Sequence, residues 1–344
     1  MAKPTILHLG DDIRWNHDLY ALLQTRFTIV RSHSMPRAEF KRALETHQFG
    51  DFAAMYRPFW NTGGEMGNWD EELIALLPPT CRIFTSAGAG FDWVDTRALA
   101  SRNILYCNSA AACTESVADA ALWLILHTFR NFGWSAASAR SCDPARFWDA
   151  NRNIAASTHN PNGHTLGIIG LGRIGVRVAQ KARAACHMRV LYNDVRRMDP
   201  AVEVPLEATY YAELDAMLAE ADCVLLATPF AGEKVMCALR FAAMKPGARF
   251  VNIARGKLVD EGALVGALRS GQIVAAGLDV HFDEPNINPE LAGMDNVLLL
   301  SHTAGASLES HIGFEKLGIE NILAFFETGK ALTPVNLEFM GAKL

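Results

Sequence analysis

The 344-residue sequence predicts an α/β protein built from two doubly wound parallel sheets. Short continuous apolar runs alternate with helical patterns along the chain, which is typical of parallel strands covered on both faces. The length exceeds what one hydrophobic core ordinarily needs, so two domains are expected. A hydrophobic content of 50% and a charged content of 20% are those of an ordinary globular protein.

The predicted strands form two series. The first series comprises residues 5–10, 27–31, 52–57, 82–87 and 104–108. The second comprises residues 165–170, 188–194, 223–228, 249–254, 273–280 and 296–302. Helices are predicted at 116–130, 173–186, 211–220, 260–270 and 307–330. Residues 140–164 are expected to form a loop, because this stretch contains the dipeptides Asp143-Pro144, Asn160-Pro161 and Asn162-Gly163.

The chain is predicted to divide near residues 110–115, where a turn-like run precedes a long apolar helix. A substrate domain would comprise residues 1–112 and 308–344, because the last helical pattern can return the chain to the first sheet. A dinucleotide-binding domain would comprise residues 113–307. We expect a cleft between them, since open α/β sheets bind ligands in such clefts.

Composition excludes several classes of function. The net charge is −5 and no dense Lys/Arg run occurs, so no nucleic-acid partner is predicted. Neither a signal peptide nor an apolar run long enough for a membrane helix is visible. The seven cysteines lack a C-x-x-C pair, which predicts reduced thiols in a cytoplasmic protein without a metal site. Cys113 is interpreted as core or pocket lining, because no base lies beside it in sequence.

The strongest motif is the glycine-rich segment Gly170-Leu-Gly172-Arg-Ile-Gly175. A predicted strand precedes it, a helix follows, and the next strand ends in Asp194, which is the context of a dinucleotide-binding site. Gly170 permits the tight turn, Gly172 lets the backbone approach a pyrophosphate, and Gly175 allows close packing of helix on strand. The helix N-terminus then offers N–H groups and a positive dipole end to the phosphates.

Asp194 predicts which nicotinamide cofactor is used. Its carboxylate would accept hydrogen bonds from the adenine ribose hydroxyls and would repel a 2′-phosphate, which favours NAD over NADP. Arg196 and Arg197 follow it, and they are either solvated surface charges or partial partners of a 2′-phosphate. NAD is therefore the predicted cofactor, and NADP is the alternative.

Three polar residues follow the ends of late strands, where a doubly wound sheet places its ligand. Arg255 follows the fourth strand of the second series, Glu284 follows the fifth, and His302 ends the sixth. Each alone has a structural explanation as a surface ion pair, a loop boundary or a strand cap. Together, on a dinucleotide-binding fold, they predict a catalytic triad.

These three side chains suit the reduction of a 2-keto acid, which needs a hydride, a proton donor and a cation. The imidazole of His302 can transfer a proton near neutral pH. Glu284, bonded to the other ring nitrogen, would fix the tautomer and favour the protonated ring. Arg255 keeps its charge and presents a planar fork, so it can hold a carboxylate and polarise the keto oxygen.

These motifs resemble the D-isomer-specific 2-hydroxyacid dehydrogenase family over essentially the whole chain. The resemblance is carried by residues 86–95, 167–175, 252–256, 277–280, 284–285 and 302–305. It implies a Rossmann NAD-binding domain and a flavodoxin-like substrate domain. It also implies Arg255 as substrate-binding and electrostatic catalyst, His302 as general acid/base and Glu284 as its partner. Within the family, the segments 87–93, 159–165 and 277–281 look most like fungal D-mandelate dehydrogenases.

The resemblance also assigns ligand contacts. The N–H groups of Ala89 and Gly90 would hold the substrate carboxylate, beside Arg255 and His302. The predicted cofactor-binding residues are Thr114, Gly170, Gly172, Arg173, Ile174, Gly175, Asp194, Thr228, Pro229, Ala254, Asp279, His302 and Gly305. The predicted assembly is a homodimer formed through the helices near residues 116–139.

The loop 56–64 follows a first-domain strand and is rich in aromatic residues. It predicts a pocket for an aromatic or branched substrate side chain, with Phe59 and Trp60 as walls or lid. Plain surface packing is the alternative for these two residues. Phenylglyoxylate and branched keto acids are the favoured substrates, and glyoxylate and hydroxypyruvate are the alternatives. A redox-sensing transcriptional corepressor of the same fold is the alternative from another functional class.

Overall fold

The computed structural model describes residues 3–59 and 66–341, and it divides the chain into two compact units. The first unit comprises Met1–Cys113 and Ala306–Leu344, and the second comprises Thr114–Gly305. The boundaries predicted from the sequence, after residues 112 and 307, lie within a few residues of these positions.

The first unit is built on a five-stranded parallel sheet. Its strands are β1 (Thr5–Leu9), β2 (Thr28–Ser32), β3 (Ala54–Arg57), β4 (Ile83–Ser86) and β5 (Leu105–Cys107). Its helices are α1 (His17–Arg26), α2 (Arg37–Glu45), α3 (Glu71–Ala75), α4 (Thr96–Ser101) and α14 (Leu308–Thr328). The strand order β2-β1-β3-β4-β5 is that of flavodoxin-like folds.

Successive side chains of these strands enter two different cores, as a parallel sheet covered on both faces requires. Leu7 and Phe84 pack in one cluster together with Phe40 of helix α2. Ile6 packs in the other cluster, to which helix α14 contributes Ile319 and Ile322. The C-terminal segment of the chain is therefore part of the first unit's core.

The second unit contains a seven-stranded parallel sheet. Its strands are β6 (Thr165–Ile169), β7 (Arg189–Asn193), β8 (Thr209–Tyr210), β9 (Cys223–Leu226), β10 (Ala248–Asn252), β11 (Ile273–Leu278) and β12 (Val297–Leu299). Its helices are α5 (Ala110–Arg130), α6 (Phe132–Arg140), α7 (Pro144–Asn153), α8 (Arg173–Cys186), α9 (Pro200–Leu206), α10 (Leu214–Glu220), α11 (Ala238–Ala243), α12 (Glu261–Ser270) and α13 (Pro289–Ala292). The first turn of α5 belongs to the first unit. The order β12-β11-β10-β9-β6-β7-β8 contains the Rossmann arrangement, so the predicted fold class is confirmed.

The prediction of a loop over residues 140–164 is wrong, because helix α7 occupies Pro144–Asn153. The dipeptide Asp143-Pro144 starts this helix instead of interrupting one. The Asp143 carboxylate accepts a hydrogen bond of 2.8 Å from the Ala145 N–H, and proline is favoured at the first helical position. Helix α5 likewise begins at Ala110, so the predicted turn-like run over 110–115 is helical.

All seven cysteines are free thiols, and five of them are buried. Burial raises the pKa of Cys81 and Cys223 to about 12, so these two thiols stay protonated at neutral pH. Cys113 is buried as well. In the part of the chain that the structure describes, no helix has both the length and the apolarity needed to cross a membrane.

Candidate active site

The predicted site residues of the second unit lie at the carboxyl edge of its sheet. The glycine-rich segment follows β6, Asp194 follows β7 and Thr228 follows β9. Arg255, Glu284 and His302 follow β10, β11 and β12, which are adjacent in the sheet. The strand order reverses between β6 and β9, and open parallel sheets bind their ligands at such a reversal.

The glycine-rich segment has the shape of a pyrophosphate cradle. Gly170 has a φ of +95°, and a Cβ atom there would lie 2.9 Å from the Ala227 carbonyl oxygen. A Cβ atom on Gly175 would collide with the Gly170 carbonyl, so helix α8 packs against the turn without a side chain between them. A Cβ atom on Gly172 would meet nothing within 4 Å. The open space over Gly172, at the start of helix α8, fits an approaching phosphate.

Asp194, which follows β7, forms a hydrogen bond with the glycine-rich segment. Its Oδ2 accepts a hydrogen bond of 2.8 Å from the Leu171 N–H, and its Oδ1 accepts one of 2.8 Å from the Val195 N–H. A carboxylate has about four acceptor positions, so two stay available for ribose hydroxyls. The residues present therefore fit a dinucleotide with a free adenine ribose.

The two arginines after Asp194 have different surroundings. Arg197 donates from Nε and Nη2 to the Glu203 carboxylate at 3.0 and 2.9 Å, so its fork is occupied. Arg196 is exposed, and it makes no hydrogen bond or ion pair with any described residue. Of the two, Arg196 is the one whose side chain is available to a cofactor phosphate.

Glu284 and His302 are in direct contact. His302 Nδ1 donates a hydrogen bond of 2.8 Å to Glu284 Oε2, and the other carboxylate oxygen accepts one of 2.9 Å from the His281 N–H. A carboxylate can only accept, so this bond places a proton on Nδ1. The His302 side chain is 32% exposed.

The Glu284 carboxylate is held in its ionised form. Burial alone would raise its pKa, but the hydrogen bonds from His302 and from the His281 amide outweigh burial and lower the pKa below the ordinary value of a glutamate. The Glu284 carboxylate therefore loses its negative charge only when the pH falls below the ordinary range of a glutamate. At neutral pH Glu284 can stabilise a protonated imidazole.

His302 is positioned by an unusual backbone conformation. Its φ is +55°, in the left-handed region that non-glycine residues seldom adopt. The His302 N–H donates to the Asp279 carbonyl at 2.8 Å, and Asp279 Oδ1 accepts from the N–H groups of Thr303 and Ala304 at 2.9 and 3.0 Å. Asp279 is 2% exposed, and burial raises its pKa. Such strain persists at functional sites where the surroundings enforce it.

The turn that carries Arg255 is also fixed by its neighbours. Asn252 Oδ1 accepts from the Ala254 N–H at 2.9 Å, and Asn252 Nδ2 donates to the Arg255 carbonyl at 3.0 Å. A Cβ atom on Gly256 would collide with the His281 backbone, so only glycine lets this turn approach the segment that leads to Glu284. The structure thus joins Glu284 to His302 and places Arg255 at the end of the adjacent strand.

Most of the other predicted cofactor residues follow strands of this sheet. Thr114 is on helix α5, Thr228 and Pro229 follow β9, Ala254 follows β10, and Gly305 follows β12. Ala254 is buried, whereas Pro229 and Arg173 are exposed. Their contacts with a cofactor stay predictions.

The predicted carboxylate ligands Ala89 and Gly90 belong to the first unit, in the turn after β4. Asn108 Nδ2 donates to the Ala89 carbonyl at 2.8 Å, and the preceding Gly88 has a φ of +86°. Their role toward a substrate stays a prediction. Trp60, the predicted wall residue, lies outside the described residues.

Phe59 belongs to an aromatic cluster at the carboxyl edge of the first sheet. It is 1% exposed, its ring centroid lies 6.2 Å from that of Trp15 and 6.0 Å from that of His311, and the Arg14 guanidinium lies 4.7 Å from it. Trp15 and His311 were not predicted. Trp15 follows β1 at the same edge as Phe59, which is the signal that would have indicated it.

The buried carboxylate of Glu315, on helix α14, positions the loop that carries Trp15. It accepts hydrogen bonds from the backbone N–H groups of Arg14, Trp15 and Asn16 at 2.7, 3.1 and 2.9 Å. Glu315 is 0% exposed, so these bonds are shielded from water. The aromatic cluster is therefore held by a rigid support.

Comparison with known proteins gives consistent results. Residues 122–304 match the model of the D-isomer specific 2-hydroxyacid dehydrogenase, NAD binding domain. The structure is similar to the holo form of Rhodotorula graminis D-mandelate dehydrogenase, with a TM-score of 0.95, 38% identity and coverage of 97% of this chain and 98% of that chain. It is also similar to a glyoxylate reductase from Paecilomyes thermophila, with a TM-score of 0.90, 30% identity and coverage of 98% and 100%. The 4-methyl-2-oxopentanoate reductase A of Aspergillus oryzae is 31% identical over 316 residues, which are 91% of this chain and 92% of that protein.

Proposed function

Because this chain belongs to the D-isomer-specific 2-hydroxyacid dehydrogenase family of NAD(P)-dependent oxidoreductases, we propose that it reduces aromatic or branched 2-keto acids to D-2-hydroxy acids, and that it catalyses the reverse reaction. The observation that carries the proposal is the pair of Glu284 and His302 at the carboxyl edge of a dinucleotide-binding sheet, with Arg255 at the end of the strand next to β11. Phenylglyoxylate and its product D-mandelate are the favoured substrate pair.

A nicotinamide cofactor held by the glycine-rich segment and Asp194 would supply the hydride that the proposed reduction needs. His302 donates the proton on Nε2 to the carbonyl oxygen, so that one hydride and one proton convert the ketone to an alcohol. Glu284 holds the ring through Nδ1 and stabilises its protonated form. Arg255 holds the substrate carboxylate and draws electron density toward the keto oxygen. Ala89 and Gly90 are the proposed further carboxylate ligands.

Two observations support a bulky substrate side chain. In the first unit Trp15 after β1 and His311 on helix α14 are half-buried and pack against the buried Phe59. Aromatic walls suit aromatic or branched groups. The names of two similar proteins include an aromatic or a branched substrate, which is D-mandelate in one and 4-methyl-2-oxopentanoate in the other. The name of a third, glyoxylate reductase, supports the small-substrate alternative. A panel of these keto acids assayed with NADH measures the preference directly, and we expect phenylglyoxylate to give a higher kcat/KM than glyoxylate.

Trp15→Ala is expected to lower kcat/KM for phenylglyoxylate about tenfold more than kcat/KM for glyoxylate, because only the larger substrate would lose the contact with the indole. Steady-state kinetics with both substrates measure the difference. Phe326→Ala, at the far end of helix α14, is the matched aromatic control and should leave the ratio unchanged. Equal losses for the two substrates would contradict a role for Trp15 in selecting the substrate.

Asp194→Asn is expected to lower the preference for NADH over NADPH by about tenfold, measured as the ratio of the two kcat/KM values. Asparagine keeps an acceptor for the Leu171 N–H but removes the charge that repels a 2′-phosphate. Asp199→Asn, which changes a nearby exposed carboxylate, is the control. An unchanged ratio in Asp194→Asn would show that the carboxylate does not set the preference.

The second unit exposes large apolar side chains on three consecutive helices. Trp123 on α5, Phe132 on α6, and Phe147 and Trp148 on α7 are 43% to 50% exposed. Contiguous exposed apolar surface marks interaction sites, so we propose a homodimer formed through α5–α7. Light scattering should give twice the monomer mass, and Phe147→Ser combined with Trp148→Ser should weaken the association. A monomeric wild-type protein at micromolar concentration would refute this assembly.

A further inference from the structure

A cavity of about 390 Å³ with several polar lining residues lies at the amino-terminal edge of the second unit's sheet. Its lining includes the starts of β10 and β11 and the residues that precede β6, β9 and β12. The catalytic residues follow the strands, whereas these residues precede or begin them. The cavity is therefore separate from the glycine-rich segment and from the triad, and the proposed function gives it no role.

Arg249, the second residue of β10, brings a buried positive charge to this cavity. It is 5% exposed, its Nε donates to the Thr128 carbonyl at 3.0 Å, and its guanidinium carbon lies 4.1 Å from the Phe129 ring centroid. No carboxylate of the described residues lies within 4.0 Å of its nitrogens. A buried guanidinium is normally paired with an anion, because an isolated buried charge is costly.

The carboxylate of Asp222, which also lines the cavity, is already engaged. Its Oδ1 accepts from Lys245 Nζ at 2.5 Å, and its Oδ2 accepts from the Thr165 N–H at 2.9 Å. The pair of Asp222 and Lys245 is neutral as a unit. Asp222 attracts the Arg249 guanidinium from a distance but forms no direct ion pair with it.

Two of the lining residues carry a buried polar atom that has no hydrogen-bond partner among the described residues. His164 Nδ1 and Asn131 Oδ1 are buried, and neither makes a hydrogen bond with a described residue. Buried polar atoms are almost always hydrogen-bonded, so the unsatisfied His164 nitrogen near a buried guanidinium without a carboxylate partner indicates a missing polar ligand. His159 also lines the cavity, with its ring centroid 6.2 Å from that of His164. Imidazoles can donate hydrogen bonds, as an anion requires.

We propose that this cavity binds a small oxyanion of the phosphate class. Arg249 would supply the charge and two guanidinium donors, and His164 would donate from Nδ1. An arginine fork matches the spacing of phosphate oxygens and forms charge-assisted hydrogen bonds with them. The ligand would bridge the end of α5, the loop before β6 and the start of β10.

The experiment is isothermal titration calorimetry with inorganic phosphate in a phosphate-free buffer, on the full chain saturated with NAD⁺. Bound NAD⁺ keeps phosphate away from the glycine-rich segment. We expect saturable binding of one phosphate per chain. Arg249→Met and His164→Ala should each weaken it by at least about tenfold, because each removes a charged or charge-assisted contact. Arg269→Met changes an exposed arginine on helix α12 of the same unit and should leave the binding unchanged.

The absence of saturable binding in the wild-type protein would overturn the proposal, since the cavity would then hold only solvent. Binding that persists unchanged in both cavity variants would overturn it as well, because phosphate would then bind elsewhere. Arg249 is buried, so NAD⁺ binding and thermal unfolding establish first that its variant is folded. If it is not, the half-buried His164 decides the question by itself.

Discussion

His302→Ala is expected to lower kcat for keto-acid reduction by about 10²- to 10⁴-fold, the usual contribution of a positioned acid–base group. The structure explains the size of the effect. His302 Nδ1 is committed to Glu284, so the ring presents one nitrogen in one orientation to the substrate. Alanine removes this donor, and water has no comparable support at the site. Steady-state kinetics with NADH and phenylglyoxylate measure the loss.

A separate measurement of NADH binding shows whether the His302 variant keeps the cofactor site, and we expect its affinity to change little. His33→Ala, which removes an exposed histidine of the first unit, is the control and should retain wild-type turnover. Wild-type turnover in His302→Ala would refute the proton-donor role.

Arg255→Gln is expected to lower kcat/KM by about 10²- to 10³-fold, the range seen when a donor to a developing oxyanion is removed. Glutamine keeps a hydrogen-bonding end but loses the charge and the fork. Both parameters should change, because Arg255 is assigned the substrate carboxylate, which affects KM, and the keto oxygen, which affects kcat. Arg255→Lys should recover only part of the loss, since an ammonium cannot bind both oxygens in one plane.

The division between KM and kcat tests the double role of Arg255. A rise in KM with unchanged kcat would support the contact of Arg255 with the substrate carboxylate and contradict its contact with the keto oxygen. Unchanged kinetics would contradict any role of Arg255 in substrate binding or catalysis. Arg269→Gln, on helix α12, is the control for loss of an arginine in the same unit.

Local patterns in the sequence predict most of the second unit. Helix α8 begins and ends at the predicted residues, Arg173 and Cys186, because the glycine turn marks its start and its apolar face has a clear period. Strand β8 has only two residues, Thr209 and Tyr210, which is too short for any periodic signal. Helix α7 was missed because Asp143-Pro144 suits both a helix start and a break, and the difference lies in whether the carboxylate finds the Ala145 N–H.

Candidate site residues were predictable where each follows its own strand. Arg255, Glu284 and His302 could be found in this way, because the ends of parallel strands share one edge. The contact of Trp15 with His311 could not be predicted, since helix α14 brings the two ends of the chain together only after folding. Arg249 begins the predicted strand 249–254, and no local pattern in the sequence indicates that its side chain lines a cavity.

The return of helix α14 to the first sheet has a consequence for synthesis on the ribosome. The second unit is one continuous segment, so all of its sheet is available before the last residues are made. The core of the first unit is complete only after Ile319 and Ile322 have been made. The hydrogen bonds from the N–H groups of residues 14–16 likewise require Glu315. Since domains generally fold as units, the segment made first would complete its fold last.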